Sequence, residues 1–266
     1  IHADYINDNT DRINEISKLV DTFICVSDFI NQRLKTVSAL SNSNILTLPN
    51  AIEEKNISLT ERKKWREDIR KKYGFSKKDT VFIYCSRLSP EKGCLELEEA
   101  LLKLNSTSKL LIVGGTNFSS NKKTKYLQLL KEKSIESNGR IFFTGAVAHE
   151  EVVKYMVAAD IAVVPSICNE ACSLTMLEFR ASGLPTIVTN IGGIPEFTNI
   201  KASLFVNYDE NFVWNLTLAM KELLNDLELR KSLEYNSNKK MDQFYYQEFF
   251  NNFVEIIEKD KGGVKD

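Results

Sequence analysis

The sequence predicts an α/β fold built on a doubly wound parallel sheet. Three observations lead there. Short apolar runs recur along most of the chain, longer stretches with helical spacing fall between them, and the runs are near-continuously apolar rather than alternating. Strands covered on both faces give such runs, and a parallel return needs a crossover helix. The predicted strands cover 23–26, 45–48, 81–85, 109–113, 141–144, 161–164, 186–188 and 203–206. The predicted helices cover 91–104, 123–137, 149–158, 174–182 and 211–225.

Residues 53–80 break this rhythm. The stretch 61–78 is crowded with Lys and Arg and sets Trp65, Ile69 and Tyr73 at helical spacing. It reads as a linker helix with one buried stripe and a solvated face; the alternative is a basic patch facing an anionic membrane surface. The expected organisation is therefore 1–52, the end of one domain; 53–75, a linker; 76–240, a second domain; and 241–266, an amphipathic tail. That tail carries Phe244, Tyr245, Phe249, Phe250, Phe253 and Ile257, and an apolar face of this kind needs something to bury it.

Composition narrows the function. With 43% hydrophobic and 27% charged residues and a formal net charge of -1, nothing recommends nucleic acid as a partner. The longest apolar stretches, such as 161–165, fall far short of the roughly 20 residues that span a bilayer. Five cysteines without zinc-type spacing, and only two histidines, argue against a metal centre. No secretory signal is visible and the cysteine count is odd, which predicts a reducing, cytoplasmic setting. The chain opens on Ile1 rather than methionine and reads as a fragment or a processed chain.

Chemistry gathers at the predicted strand ends, where open α/β sheets hold ligands. Arg87 and Lys92 follow the strand at 81–85 and can bracket a diphosphate, arginine through a forked contact and lysine as a point charge. Glu170 and Glu178, eight positions apart, flank the start of the helix at 174–182. Each can accept two hydroxyls, which suits Glu178 to a ribose diol and Glu170 to a sugar; taken alone, Glu170 reads as an acidic cap on the helix dipole, and the cation pair at a neighbouring strand end favours the sugar. The amides around Cys172, Ser173, Leu174 and Thr175 open that helix and form a ready anion site. Gly192 and Gly193 follow the strand at 186–188 and permit positive φ and a close backbone approach to a ligand, or a plain turn. Gly114-Gly115 lacks the spacing of a dinucleotide fingerprint, which disfavours NAD.

Ser86-Arg-Leu-Ser-Pro-Glu-Lys-Gly93, Leu110-Leu-Ile-Val-Gly114, Ile141-Phe-Phe-Thr-Gly-Ala-Val147, Ala159-Asp-Ile-Ala-Val-Val-Pro-Ser166, the pair Glu170 and Glu178, and Gly192-Gly-Ile-Pro-Glu196 together resemble the family 4 glycosyltransferases. The resemblance runs in consistent order from about residue 23 to 258. It implies a GT-B type, Rossmann-like donor domain that is nearly complete, and an N-terminal acceptor domain that is mostly missing. Ile24-Cys-Val-Ser-Asp28 would be that domain's last strand–helix unit, and the aromatic tail the helix returning to it.

The resemblance also assigns roles. Arg87 and Lys92 would stabilise a leaving diphosphate, Glu178 would hold the ribose, and Glu170 the donor sugar. The amides near Leu174 and Thr175 would face the phosphates, and the backbone at Val147 would border the base. His2 would touch the donor sugar from the N-terminal domain. The expected activity is retaining and metal-independent, uses a UDP- or GDP-sugar, requires no cofactor, and transfers to a glycan or lipid-linked acceptor in bacterial surface polysaccharide or glycoconjugate synthesis. Peripheral contact with the cytoplasmic membrane face and a homo-oligomer belong to the same expectation, and a non-catalytic subunit partnering another transferase is the alternative. Three positions depart from the family pattern: Ser86 replaces the usual glycine before the arginine, and Cys172-Ser173 replaces the usual aromatic-glycine pair.

Overall fold

The computed structural model describes residues 13, 15–41, 43–116 and 124–261. His2 lies outside the described residues. The chain first builds a small unit from β1 (Thr22–Cys25), α1 (Asp28–Lys35) and β2 (Asn44–Thr47), with the two strands parallel and Phe23 opposite Ile45. Ser27 caps α1, its hydroxyl accepting the Ile30 amide. Phe23, Cys25, Ile30, Leu34, Leu40 and Ile45 form the unit's core, and Ala171 is inserted among them from the larger unit.

Next comes α2 (Leu59–Lys72), opened by a reciprocal Ser58–Glu61 capping box. It ends six residues short of the predicted 61–78. Gly74 adopts φ +69°, the Phe75 amide reaches back to Arg70 O, and the Gly74 amide reaches Lys71 O, a Schellman closure. The segment expected as a linker is fastened to the larger unit by this helix. Arg66 donates to the carbonyls of Val157, Ala158 and Ala159, while Arg70 donates to Ala158 O, Ser76 O and Asp79 O; both pair with Asp160. Part of the basic character of this stretch is therefore spent on orphan carbonyls at a helix end.

The larger unit alternates β3 (Thr80–Cys85), α3 (Cys94–Leu102), β4 (Ser108–Val113), α4 (Lys125–Ile135), β5 (Ile141–Phe143), α5 (His149–Ala158), β6 (Ile161–Val164), α6 (Leu174–Ala181), β7 (Thr186–Thr189) and β8 (Ser203–Val206). Then follow α7 (Phe212–Asn225), α8 (Leu227–Ser237) and α9 (Tyr246–Lys261). The six strands lie in the order β5-β4-β3-β6-β7-β8, every neighbouring pair parallel. Period two divides β3 between two cores. Val81 and Ile83 pack with α2, α5 and α6, whereas Phe82 and Tyr84 pack with α3, α4 and α7. The sheet is thus covered on both faces, as its apolar strands require.

The order reverses between β3 and β6. Chain growth runs outward through β4 and β5, returns to β6, then runs outward the other way. A crevice opens at that reversal, beyond the carboxyl ends of the two central strands. The tail meets the chain again at Ile52, which donates its amide to Phe244 O and bridges Tyr245, and Met241 and Phe244 are buried. Phe250, Phe253 and Ile257 on α9 remain exposed. Among the described residues, no helix is long and apolar enough to cross a membrane.

Candidate functional site

Two glycines bring the loops of the crevice together. Gly93 adopts φ +69°, and a Cβ there would stand 1.8 Å from Pro165 O; a Cβ on Gly114 would stand 2.0 Å from Ser86 O. Only glycine allows either approach. The Ile167 amide then donates to Glu91 O, joining the β3 and β6 loops directly. The predicted helix 91–104 is consequently divided: a single 3-10 turn, Pro90–Lys92, presents Lys92, and α3 begins only after Gly93.

From that turn Lys92 Nζ reaches Glu170 Oε1 at 2.8 Å, and the Ser166 hydroxyl donates to the same oxygen at 2.5 Å. Lys92 and Glu170 come from opposite sides of the reversal and are only 17% and 12% exposed, so their attraction is less screened than a surface pair's. Arg87 sits on the same loop, half exposed, with its guanidinium 3.6 Å from the Glu91 carboxylate; the Tyr84 hydroxyl holds its carbonyl at 3.0 Å.

Ser173 caps α6, its hydroxyl accepting the Met176 amide at 3.4 Å, so Leu174 and Thr175 occupy the first turn, where amides lack intrahelical acceptors. Cys172, just before, is buried enough that its thiol is pushed up to about 12, with the Asn50 amide bonded to it. It is a neutral, inert thiol rather than a nucleophile. Gly192 and Gly193 make their close approach to the chain's own loop. A Cβ on Gly192 would stand 2.6 Å from Glu170 O, and the Gly193 amide donates to that oxygen at 2.7 Å. They fix the backbone that carries Glu170.

Glu178 lies one turn inside α6, 21% exposed. Burial raises its carboxyl, and the positive charges of His149 and Lys55 oppose the rise. It stands beside the end of β3 as well: burial pushes the Cys85 thiol up to about 12, and the Glu178 charge adds to that. Val147 lies half-buried in the loop before α5, against the core. A groove continues from Glu178 between α5, α6 and the stretch 52–57 that leads into α2, lined by Ile52, Lys55, Ile57, His149 and Tyr245.

The structure therefore gathers Arg87, Lys92, Glu170, Glu178 and the start of α6 around the central strand ends. Ser166, His149, Lys55 and Glu196 belong to the same neighbourhood and were missed in the sequence. The first three carry no local signal; each is recognised only by the carboxylate it meets in space.

Residues 65–240, well over half of the chain, match the family model described as Glycosyl transferases group 1. The chain belongs to that family. Among curated relatives it is 26% identical over 223 residues to a GDP-mannose-dependent monoacylated alpha-(1-6)-phosphatidylinositol monomannoside mannosyltransferase of Corynebacterium glutamicum, covering 80% of this chain and 55% of that protein. It is 32% identical over 170 residues to a D-inositol 3-phosphate glycosyltransferase of Corynebacterium efficiens, covering 62% of this chain and 39% of the relative. Among solved structures it superposes on Anabaena Alr3699/HepE in complex with UDP, with a TM-score of 0.80 at 18% identity, over 96% of this chain and 68% of that one. That likeness establishes the GT-B fold of the glycosyl transferases group 1 chain. The chain spans about half the length of the curated relatives it matches.

Proposed function

We propose that this glycosyl transferases group 1 chain forms the donor side of a retaining, metal-independent glycosyltransferase that takes a UDP- or GDP-sugar. The observation that carries this reading is the Lys92–Glu170 pair across the reversal of strand order. It sets a cation for a diphosphate next to a carboxylate for sugar hydroxyls, at the place where doubly wound sheets hold nucleotides. The names of the relatives support a nucleotide-sugar donor.

Each group then has a physical task. Negative charge grows on the diphosphate as the glycosidic bond breaks, so Arg87, Lys92 and the first-turn amides at Leu174 and Thr175 bind the transition state more strongly than the ground state. Glu178 accepts the ribose diol. Glu170, anchored by Ser166 and by the Gly193 amide on its own carbonyl, has its second carboxylate oxygen for sugar hydroxyls. Cations that neutralise the diphosphate take the part a divalent metal plays in other transferases. The departing phosphate, left basic on the face where it leaves, receives the acceptor's proton, which gives retention without a protein nucleophile. A glycan or lipid-linked acceptor in surface polysaccharide synthesis, handled at the cytoplasmic membrane face, completes the proposal.

Thermal shift against a panel of UDP- and GDP-sugars tests the donor class, since a bound ligand raises the melting temperature by mass action. One base and one sugar should stand out, with the shift retained in EDTA. A flat panel would remove the donor reading, and a shift abolished by EDTA would remove metal independence.

A further inference from the structure

His149 opens α5 and sets its Nε2 3.4 Å from Glu178 Oε1 on α6. His149 is 73% exposed and Glu178 21% exposed, so the imidazole stands at the rim of the groove and the carboxylate stands inside it. Lys55 approaches the same carboxylate from the stretch 52–57, and Cys85 faces it from the end of β3 as a neutral thiol. Glu53, Arg62 and Tyr245 complete the charged or titratable lining of the groove. A carboxylate accepts two hydroxyls of a diol only when it is ionised; once protonated it becomes a donor at one oxygen.

We propose that His149 is a positioning residue for nucleotide binding: from the first turn of α5 it keeps the Glu178 carboxylate ionised and aimed, so that affinity for the ribose diol follows the charge on the imidazole. The inference rests on the ribose role given to Glu178 above. Its sign is fixed by burial, which raises the Glu178 carboxyl and makes it take up a proton earlier on acidification than an ordinary glutamate. A positive charge on His149, 3.4 Å away, opposes that uptake. Without His149 the carboxyl is protonated at higher pH, and diol binding weakens there. Because the imidazole is mostly solvated, the effect is that of an exposed pair, roughly two- to fivefold in affinity.

The test uses the whole chain as wild type, His149→Gln and His149→Lys. The Glu178 carboxyl carbon, assigned through Glu178→Gln, is titrated by NMR. UDP and 2′,3′-dideoxy-UDP are titrated by calorimetry from about pH 6 to about pH 8.5. The carboxyl midpoint should rise in His149→Gln and return in His149→Lys. UDP should bind His149→Gln roughly two- to fivefold more weakly near pH 6, with the gap closing as pH rises and absent for the dideoxy nucleotide. Ionisation of the ligand phosphate is common to both proteins and both ligands and drops out of the comparison. An unmoved carboxyl midpoint, or a gap equally large without the diol, overturns the inference alone. A wild type that binds neither nucleotide at any pH overturns the donor-site reading itself and this inference with it.

Discussion

The Glu196 carboxylate accepts the amide of Asp28 at 2.6 Å, across 168 positions of sequence, and the Phe29 amide at 2.7 Å. It caps the start of α1 from the loop that follows β7, so the motif Gly192–Glu196 ties the small unit to the loop carrying Glu170. Removing the carboxylate leaves two helix-start amides to water and loses a favourable dipole contact. Glu196→Ala should cost about 1 to 2 kcal/mol. The loss should appear in urea denaturation as earlier melting of the small unit; a midpoint equal to wild type would show that the cap carries no weight.

Gly93 and Gly139 make a controlled pair. Both adopt positive φ, +69° and +75°, but a Cβ on Gly93 would collide with Pro165 O whereas nothing lies within 4 Å of one on Gly139. Gly139→Ala should cost only the left-handed strain, about 1 kcal/mol. Gly93→Ala should cost clearly more, about 3 kcal/mol, and should also weaken nucleotide binding, because the β3 and β6 loops must part. Equal losses in thermal melting would contradict this account of the loop junction.

Glu98 on α3 is fully buried, neither carboxylate oxygen has a hydrogen-bond partner, and burial pushes its carboxyl up to about 8, against a downward pull from Lys133. The folded group therefore holds its proton to higher pH than the unfolded one. Its stability contribution is complete below about pH 4.5, the ordinary value, and declines as pH rises through about 8. Glu98→Met should flatten that decline and stabilise the chain most at about pH 8.5, by a few kcal/mol. Chemical denaturation followed across pH reads this directly, and parallel curves for the two proteins would refute it.

Much of the scaffold was legible in the sequence because its strands are buried on both faces. Residues 161–164 and 203–206 were read as the strands the structure contains, and 149–158 as its helix, since continuous apolar runs and a 3.6-residue stripe are strong signals. Helix α8 was missed: it buries only Leu233 and Ser237, which leaves no stripe to read. The break at Gly93 was missed because its cause, Pro165, is remote in sequence. Strand ends at 85 and 164 located Arg87, Lys92 and Glu170 in advance. Ser166, His149 and Lys55 became visible only when the fold set each beside its partner.

Calorimetric titration of UDP and GDP into wild type and Lys92→Ala tests the central claim most directly, that a nucleotide diphosphate is held across the reversal between β3 and β6. One of the two nucleotides should bind wild type, and Lys92→Ala should bind it about tenfold or more weakly, the loss expected for a charge-assisted contact to phosphate. Wild type binding neither nucleotide, or Lys92→Ala binding as tightly as wild type, would contradict the account.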